Sequence, residues 1–142
     1  MRARAVDRES PIEFAICEYL FYKGYCFSKQ NTRGFFQVQG GGKRGRMLTG
    51  HFRKDKNPFA KPGHPDILVV YRGFYGGFEV KSPTGRQSAD QIEFEAYVTK
   101  KGEGFYALVC SLDEFIPQLE RFTRTVDRLY ECAGIDSLTQ SE

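Results

Sequence analysis

Three charges sit at the ends of the most apolar hairpin in this sequence, GHPDILVVYRGFYGGFEVKSPTGRQSADQ at residues 63–91. Asp66 opens the first apolar run, ILVVY, and Glu79 and Lys81 close the second, FYGGFEV. A turn centred between residues 72 and 74 makes opposed residues sum to about 145–147, which sets Asp66 against Glu79, Val80 or Lys81. The strand period of two puts Glu79 and Lys81 on one face and Val80 on the other. Two carboxylates about 5 Å apart repel by roughly 3 kcal/mol at an effective dielectric near 20, so the pair persists when a cation sits between them. Two carboxylates, a backbone carbonyl and waters make the hard oxygen shell that Mg²⁺ or Mn²⁺ prefers. A cation held there activates water and stabilises charge on a phosphodiester. Lys81 would then orient the attacking water or neutralise the pentacovalent phosphorane. The same residues also read as edge-strand salt bridges, Asp66 or Glu79 with Lys81, and spacing alone leaves both readings open.

The elements around this hairpin follow from periodicity. ESPIEFAICEYLFYKG reads as a first helix, with Ser10 as N-cap, Pro11 at the first helical position and Glu13 completing a capping box. Its apolar stripe is Ile12, Ala15, Ile16, Tyr19 and Leu20, and Gly24 ends it. YCFSKQ and GFFQVQ read as short strands around residues 31–33. SADQIEFEAYVTKKG is a helix with a second capping box, Ser88 to Gln91, and a stop at Gly102. GFYALVC is a buried strand. SLDEFIPQLERFTRTVDRLY is helical, with a stripe at Phe115, Leu119, Phe122, Val126 and Leu129, and Pro117 is expected to split off a first short turn. A frayed tail is expected from about residue 132. The order predicts one α/β domain over residues 1–142, a mixed central β-sheet flanked by helices.

Charge is polarised along the chain. The net charge is only +3, yet residues 23–61 hold ten Lys or Arg and one acid, Asp55. From Ser111 onward there are seven acids against three arginines. A positive face of this kind suits an anionic partner, of which nucleic acid is the commonest. Lys43, Arg44, Arg46, Arg53, Lys54, Lys56 and Lys61 lie in or beside the long basic loop or extended hairpin at about 40–62, which equally reads as a solvated insertion. Cys17, Cys26, Cys110 and Cys132 form no CxxC pair and only His51 and His64 could assist them, which argues against zinc and for buried reduced thiols. No apolar run is long enough to span a bilayer, and MRARAVDRES has no apolar segment behind it. A cytoplasmic location without membrane association is therefore expected.

The wider run GHPDILVV…FEVKSPTGRQSADQIEFEAYVTKKGEGFYALVCSLDEF resembles the virus-type replication-repair nuclease (VRR-NUC) domain of the PD-(D/E)xK nuclease superfamily. The likeness rests on G-x-PD, on E-V-K-x-P-x-G and on the glutamine that follows; it is close over residues 63–115 and looser before them. The resemblance implies a restriction-endonuclease-like core and a Mg²⁺- or Mn²⁺-dependent endonuclease. Carried residue by residue, it makes Asp66 and Glu79 the metal-ligating acids, with the Val80 carbonyl as third protein ligand. Lys81 matches the catalytic lysine, Gln91 the glutamine near the active centre, and Glu13 the first-helix acid that reaches a metal through water. Gln91 and Glu13 are also explained as capping-box residues.

Standalone domains of this family resemble phage-type Holliday junction resolvases. The resemblance therefore implies a homodimer acting on branched DNA in a bacterial or phage-infected cell, with 5′-phosphate and 3′-hydroxyl products. The alternatives are a flap or nicking endonuclease with the same site, or a non-catalytic DNA-binding module on the same fold. Arg86, in the turn SPTGRQ, is a further phosphate-binding candidate. His64 and His51 read as loop residues, and Phe35, Phe36, Phe52 and Phe59 as either core or base-stacking groups.

Overall fold

A computed structural model describes residues 9–30, 36–38, 50–52 and 58–135. Lys43, Arg44, Arg46, Arg53, Lys54 and Lys56, Phe35 and most of the expected tail lie outside them. The described elements are α1 (Ser10–Tyr22), β1 (Cys26–Lys29), β2 (Phe36–Val38), β3 (Gly50–Phe52), β4 (Ile67–Tyr71), β5 (Phe74–Val80), α2 (Ala89–Ala96), β6 (Phe105–Val109) and α3 (Leu112–Ala133). The fold is mixed α/β: a four-stranded sheet in the order β1-β4-β5-β6, with β5 and β6 parallel and the other neighbours antiparallel. β2 and β3 form a separate antiparallel pair. The sequence placed short strands on either side of residues 31–33 without setting their partners. β1 takes the open edge of β4, where Phe27 and Lys29 fall opposite Val69 and Ile67.

Alternation along the strands sorts residues into two layers. One face carries Ile67, Val69, Phe78, Val80, Ala107 and Val109, packed against Ile16 and Leu20 of α1 and Phe115, Leu119, Phe122 and Val126 of α3. Phe78 lies at the centre, its ring 4.9 Å from that of Phe115 and 5.7 Å from that of Phe105. α2 and the turn that follows it cover the opposite face with buried Phe94 and Val98. That face carries Gly77 and Glu79.

The β4–β5 hairpin turns in two residues, Arg72 and Gly73, both with positive φ (50° and 82°). This is the primed geometry whose twist matches paired strands, and it suits glycine but not arginine. Contacts with α3 hold Arg72 there. Its guanidinium meets Asp127 Oδ1 at 2.9 Å and lies 4.7 Å above the Tyr130 ring, while its carbonyl accepts the Tyr130 hydroxyl at 2.8 Å. The far end of the hairpin is thereby latched, and the register follows from the turn.

Four local expectations change. α1 begins one residue early: Glu9 is the N-cap in αR geometry, and the Glu13 amide already donates to the Glu9 carbonyl. Ser10 and Glu13 therefore form no capping box, because Glu13 turns to Lys29 instead. α3 runs unbroken through Pro117; the residues on either side, Phe115 and Leu119, are both buried, and this packing outweighs one lost backbone bond. Its stripe bends from Val126 to half-buried Tyr130, leaving Leu129 exposed, and the helix continues to Ala133 before Gly134 ends it. The cysteines are unpaired but not buried: Cys26 and Cys132 are exposed, and Cys17 and Cys110 only partly covered.

Truncating the central ring separates core from surface. Phe78→Ala is expected to destabilise the chain by about 3–5 kcal/mol. Phe14→Ala, at a ring 70% exposed, should shift stability by no more than about 0.5 kcal/mol. Urea unfolding followed by circular dichroism measures both.

Candidate active site

The ladder places Ile67 opposite Phe78, so the next residues outward, Asp66 and Glu79, face each other. This is the lower end of the expected range, and it brings both carboxylates to the α2 face. Asp66 is locked from two sides: Oδ2 accepts the Val80 amide at 2.8 Å, and its carbonyl accepts the Gln30 amide at 2.7 Å. The parallel ladder continues past β5, with the Lys81 amide donating to the Val109 carbonyl at 3.0 Å. Backbone bonds thus fix all three charged residues at the open end of the sheet.

Glu79 is fully buried. Its Oε1 accepts from Lys81 Nζ at 3.0 Å and from Gln91 Nε2, while Oε2 is buried with no hydrogen-bond partner among the described residues. Burial, then the charge of Asp66, pushes the Glu79 carboxyl up to about 7 against the pull of Lys81. Asp66 is also raised, chiefly by burial, with the Val80 amide opposing. Burial alone would lower Lys81, but its hydrogen bond to Glu79 and the charges of Glu79, Glu9 and Asp66 outweigh that and raise it. Both partners of the Lys81–Glu79 pair are therefore raised. One lysine does not compensate for a buried carboxylate that also faces a second acid.

Gln91 serves two functions that competed in the sequence. Its Oε1 accepts the Ser88 amide at 2.8 Å and its own amide donates to Ser88 Oγ at 3.2 Å, which completes the capping box of α2. Its Nε2 is left to reach Glu79. A primary amide has a donor end and an acceptor end, so capping the helix also aims the residue at the site.

Glu13 approaches from the other layer. It is buried on α1, and its Oε2 is 2.7 Å from Lys29 Nζ. Lys29 shares the face of Ile67 rather than that of Asp66 and Glu79. Glu13 still lies close enough for its charge to raise Asp66. The sequence reading missed Glu9: its Oε1 accepts the Ser82 amide at 3.2 Å, and its charge acts on both Asp66 and Lys81. The available signal was its position four residues before Glu13, on the same helix face. Arg86 is exposed in the turn after β5. His64 is also exposed, its ring 4.3 Å from that of Phe94 on α2. Lys61 is on this side too, 4.4 Å above the Tyr97 ring.

The donor set fits a hard divalent cation. Among the described residues no group of three or more His, Cys, Asp or Glu side chains forms a metal cage. Mg²⁺ is commonly held by one or two carboxylates together with waters and substrate phosphates, and Asp66 with the unpartnered Oε2 of Glu79 supplies that number. No family model matches the chain, and no curated protein matches its sequence. Among the described residues no helix is long and apolar enough to cross a membrane.

The raised Glu79 carboxyl predicts a pH-dependent stability without added metal. A carboxyl whose folded value lies near 7 keeps its proton after the unfolded chain, near the ordinary 4.5, has lost it. Stability is then greatest below about 4.5 and falls as pH rises to about 7, by on the order of 3 kcal/mol. Glu79→Gln should remove most of this slope, and at pH above 7 it should unfold at higher urea than the unaltered chain. Urea midpoints on either side of this window, for both proteins, check the sign.

Proposed function

We propose that the chain is a Mg²⁺- or Mn²⁺-dependent endonuclease that hydrolyses phosphodiester bonds in DNA, on a restriction-endonuclease-like core. The observation that carries this reading is the convergence of Asp66, Glu79, Lys81 and Gln91 on one end of one hairpin, with a fully buried Glu79 whose Oε2 has no partner among the described residues. A purely stabilising salt bridge is a poor account of this arrangement. Burying a carboxylate beside another acid costs stability, and an apolar pair of similar size would hold the hairpin better.

Asp66, Glu79 and the Val80 carbonyl would hold the metal, which when bound supplies Lewis acidity at the scissile phosphate and a lowered pKa for water. Lys81, fixed by Glu79 and by its backbone bond to Val109, presents an ammonium beside the position of that phosphate. Its charge stabilises the pentacovalent phosphorane, and it and Gln91 orient the attacking water. Gln91 also holds Glu79 Oε1 in place, leaving Oε2 for the cation. Glu13 supports the site through Lys29, with Glu9 behind it. The basic residues between 43 and 61, with Arg86, would supply the sequence-independent grip on phosphates.

DNA shape rests on the family resemblance, which favours four-way junctions cut by a two-fold symmetric homodimer. A non-catalytic DNA-binding module on the same fold is disfavoured, because two acids facing a phosphate weaken binding unless a cation joins them.

Cleavage of four-way, flap and linear DNA with Mg²⁺ or Mn²⁺ tests the reading. Asp66→Asn, Glu79→Gln and Lys81→Met should each lower kcat by about 10²–10⁴-fold while DNA binding persists, and chelation should abolish cleavage. Inactivity of the unaltered chain on every substrate, with binding retained, would sink the enzyme reading. Cleavage of flaps but not of junctions would sink the resolvase reading alone.

A further inference from the structure

A second constellation lies on the α2 side of the sheet, away from the carboxylates but joined to them by two continuous pieces of chain. The first piece is the segment 61–64, which leads directly into Pro65 and Asp66. It is fastened along α2. A Cβ at Gly63 would lie 2.2 Å from the Asp90 carbonyl oxygen, and Gly63 has φ +84°, so only glycine fits this crossing. On either side of Gly63, His64 stacks on Phe94 and Lys61 on Tyr97.

The second piece is α2 itself, whose first turn supplies Gln91 and whose end runs into a single π turn, Tyr97–Lys101. Wide turns of this kind recur at functional positions. Here the turn places Lys101 Nζ 5.6 Å from the Tyr97 ring that Lys61 also covers. Two ammonium groups thus share one tyrosine that is 41% exposed, and Lys100 precedes Lys101 in the same turn. Glu93 and Glu103 lie on the same stretch of chain, yet among the described residues no ion pair ties an acid to Lys61, Lys100 or Lys101. Ammonium groups drawn to one ring, with no ion-pair partner among the described residues, can receive an anion, and the ring fixes the stems so that less side-chain freedom is lost on binding.

The spacing relates this patch to the candidate site. Six helical positions separate Gln91 from Tyr97, about 9 Å along the axis, so one continuous helical stretch carries both the glutamine at the carboxylates and the tyrosine that both lysines approach. We infer that Lys61 and Lys101, splinted by Tyr97 and assisted by Lys100, grip the nucleic-acid backbone on the α2 side of the phosphate at Asp66 and Glu79. This rests on the DNA reading above but not on cleavage, so the two can fail separately.

The experiment is equilibrium binding of labelled duplex DNA by fluorescence anisotropy, without divalent metal, across about 50–200 mM salt. Loss of two phosphate contacts in the double variant Lys61→Gln/Lys101→Gln should weaken binding several-fold. It should also reduce the slope of log K against log salt by about 1.8. The control is Arg124→Gln/Arg128→Gln, which removes the same charge from exposed positions on α3, in the opposite layer. It should leave the slope within about 0.5 of the unaltered value. An unchanged slope in the lysine variant, an equal fall in the control, or no DNA binding by the unaltered chain would each overturn the inference. If the unaltered chain binds and shows the predicted slopes but never cleaves, the patch stands and the nuclease assignment falls.

Discussion

The arrangement of this protein depends on keeping one carboxylate out of water. Glu79 is fully buried directly across the ladder from Asp66, whose charge adds to burial in raising the proton affinity of Glu79. Left alone, such a pair would relax by rotating one side chain to solvent or by letting the strand ends part. Neither happens, because backbone bonds hold both residues: the Val80 amide binds Asp66, the Gln30 amide binds its carbonyl, and the Lys81 amide binds β6. Lys81 and Gln91 then occupy one oxygen of Glu79 and leave the other without a partner among the described residues. The site is a strained electrostatic arrangement on a rigid frame, and functional sites tolerate such strain when the frame is over-determined.

The frame is over-determined from both ends. Phe78 and Val80, the neighbours of Glu79 on β5, are fully buried against α1 and α3. A shift of one residue in register would exchange these apolar side chains with the acid, so core packing and site geometry are one constraint. The opposite end of the hairpin is latched by Arg72, Asp127 and Tyr130. On the other layer, α2 caps itself with Ser88 and Gln91, and the same glutamine bridges to Glu79. Each layer thus contributes apolar contacts that hold the sheet and one polar contact at its open end.

Much of this was legible before any coordinates. The RG turn and period-two alternation placed Asp66 against one of residues 79–81 and put Glu79 with Lys81 on one face, because both rules are local and steric. The capping box at Ser88 was equally legible for the same reason. The failures share a cause. Glu13 matched a capping box as well as Gln91 did, but its carboxylate is claimed by Lys29, a residue of β1 whose proximity no local rule supplies. Pro117 marked a break that buried neighbours override, and the partner of β1 was not legible because strand pairing is decided by long-range packing.

By itself the sequence determined the elements that depend on near neighbours: the tight hairpin, the face shared by its charges, the amphipathic stripes and the polarised charge of the chain. Only the tertiary structure decided which acids are buried, that one oxygen of Glu79 has no partner among the described residues, and that Gln91 reaches it while Glu13 is engaged by Lys29. It alone brought Lys61 and Lys101 onto the same tyrosine. The physical reason is that burial and electrostatic coupling depend on distance in space. Residues 66 and 79, or 61 and 101, become neighbours only once the sheet and its helices have packed.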